Sequence, residues 1–261
     1  MTSGEKNGTG RPYVLEETTW TSVRATKYEV AILPWGATEA HNLHLPYGTD
    51  NYESAWVATE SARRAWEAGE KVIVLPTVPF GVNTGQLDIT LCINMNPSTQ
   101  AALLGDIVDA LEGQGIYKLV IINSHGGNDF KQMIRELQPR SQVFISTINW
   151  WNSIDPKGYF DEPGDHAGEL ETSVMMEVAP GLGLPVSEAG EGTARRFRIE
   201  GLRNGLAWAP REWTKVTDDT GTGNPARATH EKGTRFLGDV TAKIAAYLVD
   251  LSKADLEHMY E

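Results

Sequence analysis

Short apolar runs alternate with longer segments of helical character along most of this chain. Four runs are compact and mainly aliphatic, as buried strands are: residues 30–33, 71–75, 118–122 and 142–148. Five further segments are predicted to be helical: residues 51–68, 98–111, 128–137, 168–178 and 233–252. Strands that alternate with helices predict an α/β fold, with a mostly parallel sheet between helices in a single three-layer domain.

The sequence shows no internal repeat and no low-complexity linker that would separate two domains. Residues 1–11 are polar and are predicted to form a flexible tail, so we place the domain at residues 12–261. Residues 188–224 are rich in glycine, arginine and tryptophan and match no regular element. We interpret them as a long excursion from the same domain rather than as a second core.

The net charge and the cysteine content of the chain limit which binding partners and which cellular location we expect. The formal net charge is −12, whereas a nucleic-acid or anionic-membrane surface needs a basic patch, so we expect neither partner. No apolar run is long enough for a transmembrane helix, and the polar start does not resemble a signal peptide. Cys92 is the only cysteine, which excludes an intrachain disulfide and fits a cytoplasmic location.

Side chains with metal-binding chemistry collect after the predicted strands. In parallel α/β sheets, ligands bind where loops leave the carboxyl ends of strands. Three polar clusters lie in such places, at residues 36–50, 123–129 and 165–173. They contain four of the six histidines in the chain: His41, His44, His125 and His166. This concentration is the main signal for a functional site.

In the first cluster, Glu39 and His41 point the same way if the chain is extended, because strand side chains alternate. A carboxylate beside an imidazole suits a borderline divalent ion such as Zn²⁺ or Mn²⁺. Asp50 has two interpretations: its two oxygens could bridge two ions, or it could cap the following helix together with Glu53. For His44 we favour a hydrogen bond to backbone over a role as a ligand.

The other two clusters have structural alternatives as well. His125 is followed by two glycines, which let a ligand approach the backbone, and Asn128 is predicted to be the N-cap of the next helix. Glu169 and Glu171 are two residues apart on a predicted helix, so at most one of them faces a given site. His166 precedes that helix and is a candidate proton carrier near neutral pH.

The ordered set of motifs resembles the creatininase (creatinine amidohydrolase) family over residues 29–247. The motifs are Glu39-x-His41 with Asp50 nine residues on, then SHGGN at residues 124–128 and HAGELETS at residues 166–173. The stretches GNP at residues 223–225 and ATHEKG at residues 228–233 are similar to the C-terminal signature of that family. Each motif alone is short, but their order along the chain makes the resemblance specific.

The resemblance implies a compact α/β fold that assembles as a homo-oligomer, usually a hexamer. It also implies two divalent metal ions per chain, Zn²⁺ at one position and Zn²⁺, Mn²⁺ or Fe²⁺ at the other. Glu39 and His125 would hold one ion and His41 the other, with Asp50 bridging both.

This chain departs from creatininase at one ligand. Creatininase has a glutamate two residues after its equivalent of His125, where this chain has Gly127. Because a metal site needs its coordination filled, we predict Glu169 as the compensating ligand, facing the site. Glu171 is assigned with His166 to the catalytic residues, as a group that supports the site without holding an ion.

The resemblance leaves several substrates open. It implies a hydrolase in which a metal-activated water attacks a carbonyl, with a cyclic amide of a small polar molecule as the first expectation. Ring opening of a keto-inositol, deformylation of a formamide and peptide cleavage are alternatives within the family. A structural oligomer that binds metal is the non-enzymatic alternative.

Two segments bear on the substrate. Trp150 and Trp151 could line a flat substrate pocket or form a buried aromatic pair. Creatininase carries a tryptophan shortly before its catalytic histidine, but residues 161–165 contain no aromatic side chain here, which weakens the creatinine assignment. The basic run at residues 193–203 could contact an anionic substrate, although we favour a solvated surface or a subunit contact.

Overall fold

The apolar runs of the sequence form one parallel sheet. The structure, a computed structural model, describes residues 10–261. Its strands are β1 (Val30–Trp35), β2 (Val72–Val74), β3 (Lys118–Asn123) and β4 (Phe144–Asn149). They lie in the order β2-β1-β3-β4, and each neighbouring pair is parallel. The predicted parallel α/β sheet is therefore confirmed.

Eight α-helices connect or flank the strands within the described residues. They are α1 (Trp20–Val23), α2 (Thr49–Glu67), α3 (Pro97–Gly113), α4 (Lys131–Leu137), α5 (Glu169–Val178), α6 (Glu200–Arg203), α7 (Trp213–Val216) and α8 (His230–Lys253). Short 3-10 helices occupy Leu15–Glu17, Gln138–Arg140, Trp150–Asn152, Pro156–Gly158, Val186–Glu188 and Pro225–Arg227. The five predicted helices correspond to α2, α3, α4, α5 and α8, with ends displaced by at most three residues.

Strand side chains alternate between two apolar layers, which explains why the strands read as continuous apolar runs. Val30 and Ile32 of β1 belong to a layer that α2, α5 and α8 cover. Ala31, Leu33 and Trp35 belong to the opposite layer, which α3 and α4 cover. Each fully buried aliphatic side chain in these layers contributes about 1.5–3 kcal/mol to stability. The predicted three-layer arrangement is confirmed.

The loop after β3 differs from the prediction at Asn128. The expected N-cap is wrong, because α4 begins at Lys131, whose backbone N–H donates to Asp129 Oδ1 at 3.2 Å. The buried Asn128 side chain instead accepts from the Val82 N–H and donates to the Gly36 carbonyl. Its amide thus ties together two neighbouring loops and is not available to cap the helix.

Residues 188–224 carry the short helices α6 and α7 and are otherwise irregular. Thr222, near the end of this excursion, pairs with the backbone of His166. Residues 1–9 of the predicted tail lie outside the described residues, and the limits of the domain stay a prediction. Within residues 10–261, none of the helices combines the length and apolarity needed to cross a membrane.

A candidate metal centre

Six side chains from the predicted clusters meet at the carboxyl ends of β1 and β3. Loops and helix starts supply them: two follow β1, one lies in the first turn of α2, one follows β3, one precedes α5, and one lies in the first turn of α5. They come together because β1 and β3 are neighbours that end side by side, at Trp35 and Asn123. The six are Glu39, His41, Asp50, His125, His166 and Glu171.

Asp50 lies between two histidines, with one oxygen toward each. Its Oδ1 is 3.1 Å from His41 Nε2, and its Oδ2 is 3.2 Å from His125 Nδ1. Glu39 Oε1 is 2.9 Å from the same His125 nitrogen. Two groups of potential ligands therefore share Asp50, one with Glu39 and His125 and the other with His41 and Glu171. In each group the ligand atoms lie within 4.8 Å of one another.

Three histidines each have one ring nitrogen held by a backbone carbonyl. A carbonyl only accepts, so that nitrogen carries the proton and the ring orientation is fixed. The bonds join His41 Nδ1 to Glu39 O at 3.1 Å, His125 Nε2 to Val82 O at 3.0 Å, and His166 Nε2 to Ala40 O at 2.8 Å. The other nitrogen of each ring faces the carboxylates, where it can hold either a proton or a metal ion.

The carboxylates make this site attract positive charge. Burial acts to lower the pKa of His41, but Asp50, followed by Glu171 and Glu39, outweighs it and raises that pKa to about 10. For His125, Glu39 and Asp50 likewise overcome burial and raise the pKa well above its usual range. The same histidines lower the pKa of Asp50 although burial acts to raise it. The carboxylates that attract a proton to each histidine would also attract a divalent cation, which would take the place of those protons.

Asp50 does not cap α2. The helix begins at Thr49 after Gly48, and no side chain caps it. Asp50 Oδ2 is buried and makes no well-aligned hydrogen bond among residues 10–261; it faces the ring nitrogen of His125, 3.2 Å away. Because both oxygens of Asp50 point to histidine nitrogens and neither bonds the backbone of α2, this carboxylate fits a metal ligand better than a helix cap.

Glu53, the other half of the expected cap, is a buried carboxyl that lies one helical turn after Asp50. Neither of its carboxyl oxygens has a hydrogen-bond partner in the described part of the chain. Burial, followed by Glu171 and Asp50, raises the pKa of Glu53 well above its usual range. Its surroundings therefore favour the protonated, neutral form of the Glu53 carboxyl.

The structure corrects the predicted orientation of the two glutamates on α5. Glu169 faces away from the ligand groups: its carboxylate forms an ion pair with Lys232 and accepts from the Glu162 N–H at 2.8 Å. Glu171 is the one that reaches His41 and Asp50. One of the two glutamates does face the site, as predicted, but it is Glu171, and the choice of Glu169 was wrong. The rotation of α5 about its axis decides which glutamate turns inward, and packing against α2 and α8 sets that rotation.

The surroundings of Gly127 leave no room for a side chain. A Cβ at this position would overlap the Val82 carbonyl oxygen and the His125 ring. These are the two partners of the bond that orients His125. No side chain can reach the metal groups from position 127 without disturbing that bond, so the last ligand has to come from another element, α5.

A family model described as creatininase (creatinine amidohydrolase) matches residues 16–248. The chain belongs to the creatininase family. The predicted resemblance is thereby confirmed over most of the chain. Members of this family are hydrolases, and the fold and the candidate ligand groups described above agree with membership.

Known proteins similar to this family member carry different names. A candidate creatinine amidohydrolase from Bacteroides fragilis NCTC 9343 is 44% identical, with a TM-score of 0.90 over 96% of this chain and 99% of that one. The mycofactocin precursor peptide peptidase of Mycobacterium ulcerans (strain Agy99) is 25% identical over 230 residues, 85% of this chain and 82% of that protein. A mutant creatininase in a Zn-Zn form is 20% identical, with a TM-score of 0.74 over 93% of this chain and 99% of that one, and it shows the fold alone.

In this creatininase-family chain, an aromatic side chain from the excursion packs on His166. The Trp213 ring meets the His166 ring edge to face, with centroids 5.3 Å apart. Arg211 lies 4.4 Å above the same indole and pairs with Asp165 at 2.7 Å. Trp213 was not predicted, because it reaches His166 from a separate segment and not from the residues directly before the histidine. Its only sequence signal was the tryptophan content of the excursion.

His166 itself stands beside the two ligand groups. Its Nδ1 is 3.7 Å from Glu39 Oε1, and its ring centroid is 4.3 Å from that of His41. With Glu39 and His41 it forms a third group of potential ligands. It also lines the cleft, so it can reach both the ligand groups and a bound substrate. His44 lies outside these groups, and its partner is the Thr172 hydroxyl at 2.9 Å rather than the expected backbone.

The site opens into a cleft of about 1230 Å³. Trp150 and Trp151 both line it, but Trp150 is also a buried core residue whose indole N–H donates to Ser124 Oγ. The pair therefore belongs both to the core and to the cleft wall, and its contact with a substrate stays a prediction. The excursion forms much of the remaining wall and contributes arginines at five positions: Arg195, Arg196, Arg198, Arg203 and Arg211.

Proposed function

We propose that this protein is a hydrolase that uses two divalent metal ions to cleave a C–N bond in a small polar molecule, with a cyclic amide as the first candidate. The observation that carries the proposal is the orientation of three histidines. Each donates to a backbone carbonyl through one nitrogen and turns the other toward carboxylates that share the site. Metal-ligating histidines have this arrangement.

The ligand groups support two ions. Glu39, Asp50 and His125 would hold one, and His41, Asp50 and Glu171 the other, with Asp50 common to both. Two divalent ions would offset the negative charges of the three carboxylates, of which Glu39 and Asp50 are buried, and one ion would not. Mixed nitrogen and oxygen donors suit borderline ions, so we propose Zn²⁺ at one position and Zn²⁺, Mn²⁺ or Fe²⁺ at the other. The Zn-Zn form of the related creatininase supports this choice.

The protein groups around the ions would position the substrate and move protons. When bound, the two ions would supply a water-derived nucleophile at neutral pH and polarise the substrate carbonyl. His166 would take a proton at Nδ1 and deliver it to the leaving nitrogen, because its Nε2 is held by the Ala40 carbonyl. Trp213 would hold the imidazole of His166 in place by packing against it, and Trp151 would bound the substrate at the wall of the cleft.

A peptide bond is the second candidate, because the cleft is larger than a cyclic amide requires. Small-molecule sites usually enclose about 300–1,000 Å³, whereas this cleft has about 1230 Å³. The similarity to a precursor peptide peptidase points the same way. Keto-inositol ring opening, formamide cleavage and assembly as a homo-oligomer, a hexamer by family resemblance, stay proposals without a specific observation in this structure.

The test combines metal analysis with a substrate panel. Purified protein should hold two transition-metal ions per chain and hydrolyse one class among creatinine, other cyclic amides, short peptides, formamides and keto-inositols. His166→Gln should keep both ions and lose most of the activity, since it removes the proton carrier alone. Less than one tightly bound ion per chain would overturn the proposal. Two ions with no turnover in any class would favour the structural metal-binding oligomer.

A further inference from the structure

Gln86 is a buried side chain that touches the back of Glu39. It is 5% exposed and lies in the loop that follows β2. Its Nε2 donates to Glu39 Oε2, while the other carboxylate oxygen, Oε1, is the one 2.9 Å from His125 Nδ1. One oxygen of Glu39 is therefore held by an amide, and only the other faces the ligand groups.

The orientation of this amide is fixed by chemistry. A carboxylate only accepts hydrogen bonds, so the NH₂ end of Gln86 has to face Glu39. The amide oxygen then accepts from Cys92 Sγ at 3.4 Å, and the thiol sulfur accepts from the Ala40 N–H at 3.2 Å. The chain of bonds starts at the backbone of residue 40 and returns to the side chain of residue 39. Gln86 is thus anchored to the same loop that carries its target.

We propose that Gln86 is a positioning residue that assigns Glu39 to one of the two metal positions. This inference rests on the proposed function. Glu39 Oε1 is 2.9 Å from His125 Nδ1 but 3.9 Å from His41 Nε2 and 3.7 Å from His166 Nδ1. Because Gln86 holds Oε2, the carboxylate binds the His125 position through one oxygen and does not rotate toward the other two histidines.

The expected consequence is unequal loss of metal affinity. Removing the amide in Gln86→Met frees Glu39 to rotate, so the position shared with His125 should weaken. Groups that orient a ligand typically change metal affinity by about 10–100-fold. The position formed by His41, Asp50 and Glu171 should keep its affinity. A merely structural glutamine would instead lower the stability of the metal-free protein or weaken both positions alike.

The test is a titration of metal-free protein with Zn²⁺ against a chromogenic chelator, which resolves the two binding constants. The matched control is Gln138→Met, which also removes two hydrogen bonds of a side-chain amide, one donated to Val143 O and one accepted from Ile145 N, at the start of β4. We expect Gln86→Met to weaken one constant about tenfold or more and Gln138→Met to change neither. Cys92→Ala, which leaves the Gln86 amide oxygen without its thiol donor, should weaken the same constant by a smaller factor.

A double-mutant cycle separates positioning from general damage. In the Glu39→Ala background, Gln86→Met should have no further effect on the weakened constant, because its target is gone. An equal effect in both backgrounds, or equal weakening of both constants in Gln86→Met, overturns the inference. Failure of the proposed function is distinguishable, because it would show as absence of two Zn²⁺ sites in the unmodified protein.

Discussion

Glu171 and Glu169 are close in sequence but meet different surroundings, which makes them a matched pair. Glu171 contributes to a ligand group with His41 and Asp50, whereas Glu169 pairs with Lys232. We predict that Glu171→Gln weakens the second metal position by at least about tenfold, because a neutral amide replaces an anionic ligand. Zn²⁺ titration of the metal-free variant measures this change.

Glu169→Gln is the control for that prediction. It should leave both metal affinities unchanged and lower the free energy of unfolding by about 1–3 kcal/mol, because it weakens a charged hydrogen bond at a buried position. Denaturant titration in one fixed metal state checks the second part. The reverse pattern, with metal lost from Glu169→Gln and retained in Glu171→Gln, would return the ligand role to Glu169.

The sequence predicted the residues of this site better than their orientation. Glu39, His41, Asp50 and His125 are brought together as their positions after neighbouring parallel strands required. The phase of a helix about its axis depends on packing, and period alone could not decide which glutamate of α5 turned inward. Gln86 and Trp213 had no local pattern at all, since folding alone brings their loops to the site.

At the scale of elements, the strands and long helices were predictable because the spacing of their buried apolar residues along the sequence differs between the two kinds of element. The strands were readable as continuous apolar runs since both faces of the sheet are covered. Element ends were less predictable: β1 continues beyond the predicted run to Trp35, through Pro34. Residues 188–224 bury few apolar side chains and follow no period, so neither their path nor their place along the cleft could be derived.

The close contact of α5 and α8 depends on a glycine, and we predict the effect of replacing it. Gly233 of α8 lies where a Cβ would overlap the Ser173 carbonyl oxygen of α5. Gly233→Ala should force the helices apart and lower the free energy of unfolding by about 1–3 kcal/mol. Since α5 carries Glu171, the same variant should also weaken zinc binding. Denaturant titration and Zn²⁺ titration together measure both effects.

Gly238, on the same helix, is the matched control. A Cβ there meets nothing within 4 Å. Gly238→Ala should raise the free energy of unfolding by about 0.5–1 kcal/mol, because alanine loses less conformational entropy in a helix than glycine. Equal destabilisation by the two substitutions would show that close approach of the helices is not what requires Gly233.

At the scale of the whole molecule, the charge distribution is uneven. The chain carries a formal net charge of −12, and part of that negative charge lies in the buried carboxylates of the candidate centre. The walls of the cleft, in contrast, include five arginines of the excursion. Arg211 and Arg195 are paired with Asp165 and Asp218, so part of this positive charge is offset within the wall itself. The field of the protein therefore favours cations at the floor of the cleft.

The raised pKa values of the histidines lead to a prediction about protons. The carboxylates around them raise the pKa of His41 to about 10 and that of His125 well above its usual range, so they favour the charged form of both rings when no metal is bound. A ligand histidine has to be neutral, so metal binding must displace these protons. Below a pKa of about 10, the apparent metal affinity should therefore fall as pH falls, by roughly tenfold per displaced proton per pH unit.

We predict that binding of two Zn²⁺ ions at pH 7.5 displaces about two protons per chain from His41 and His125, beyond the one that ionisation of the metal-activated water releases. Histidines with an ordinary pKa near 6.5 would contribute almost none at that pH, and only the proton of the water would be released. Calorimetric titration in buffers of different ionisation enthalpy gives the number directly. His44→Gln is the control, because burial lowers the pKa of His44 to about 4 and leaves it without a proton to release. Release of about one proton or fewer, or a count that falls in His44→Gln, would contradict the charged state inferred for His41 and His125.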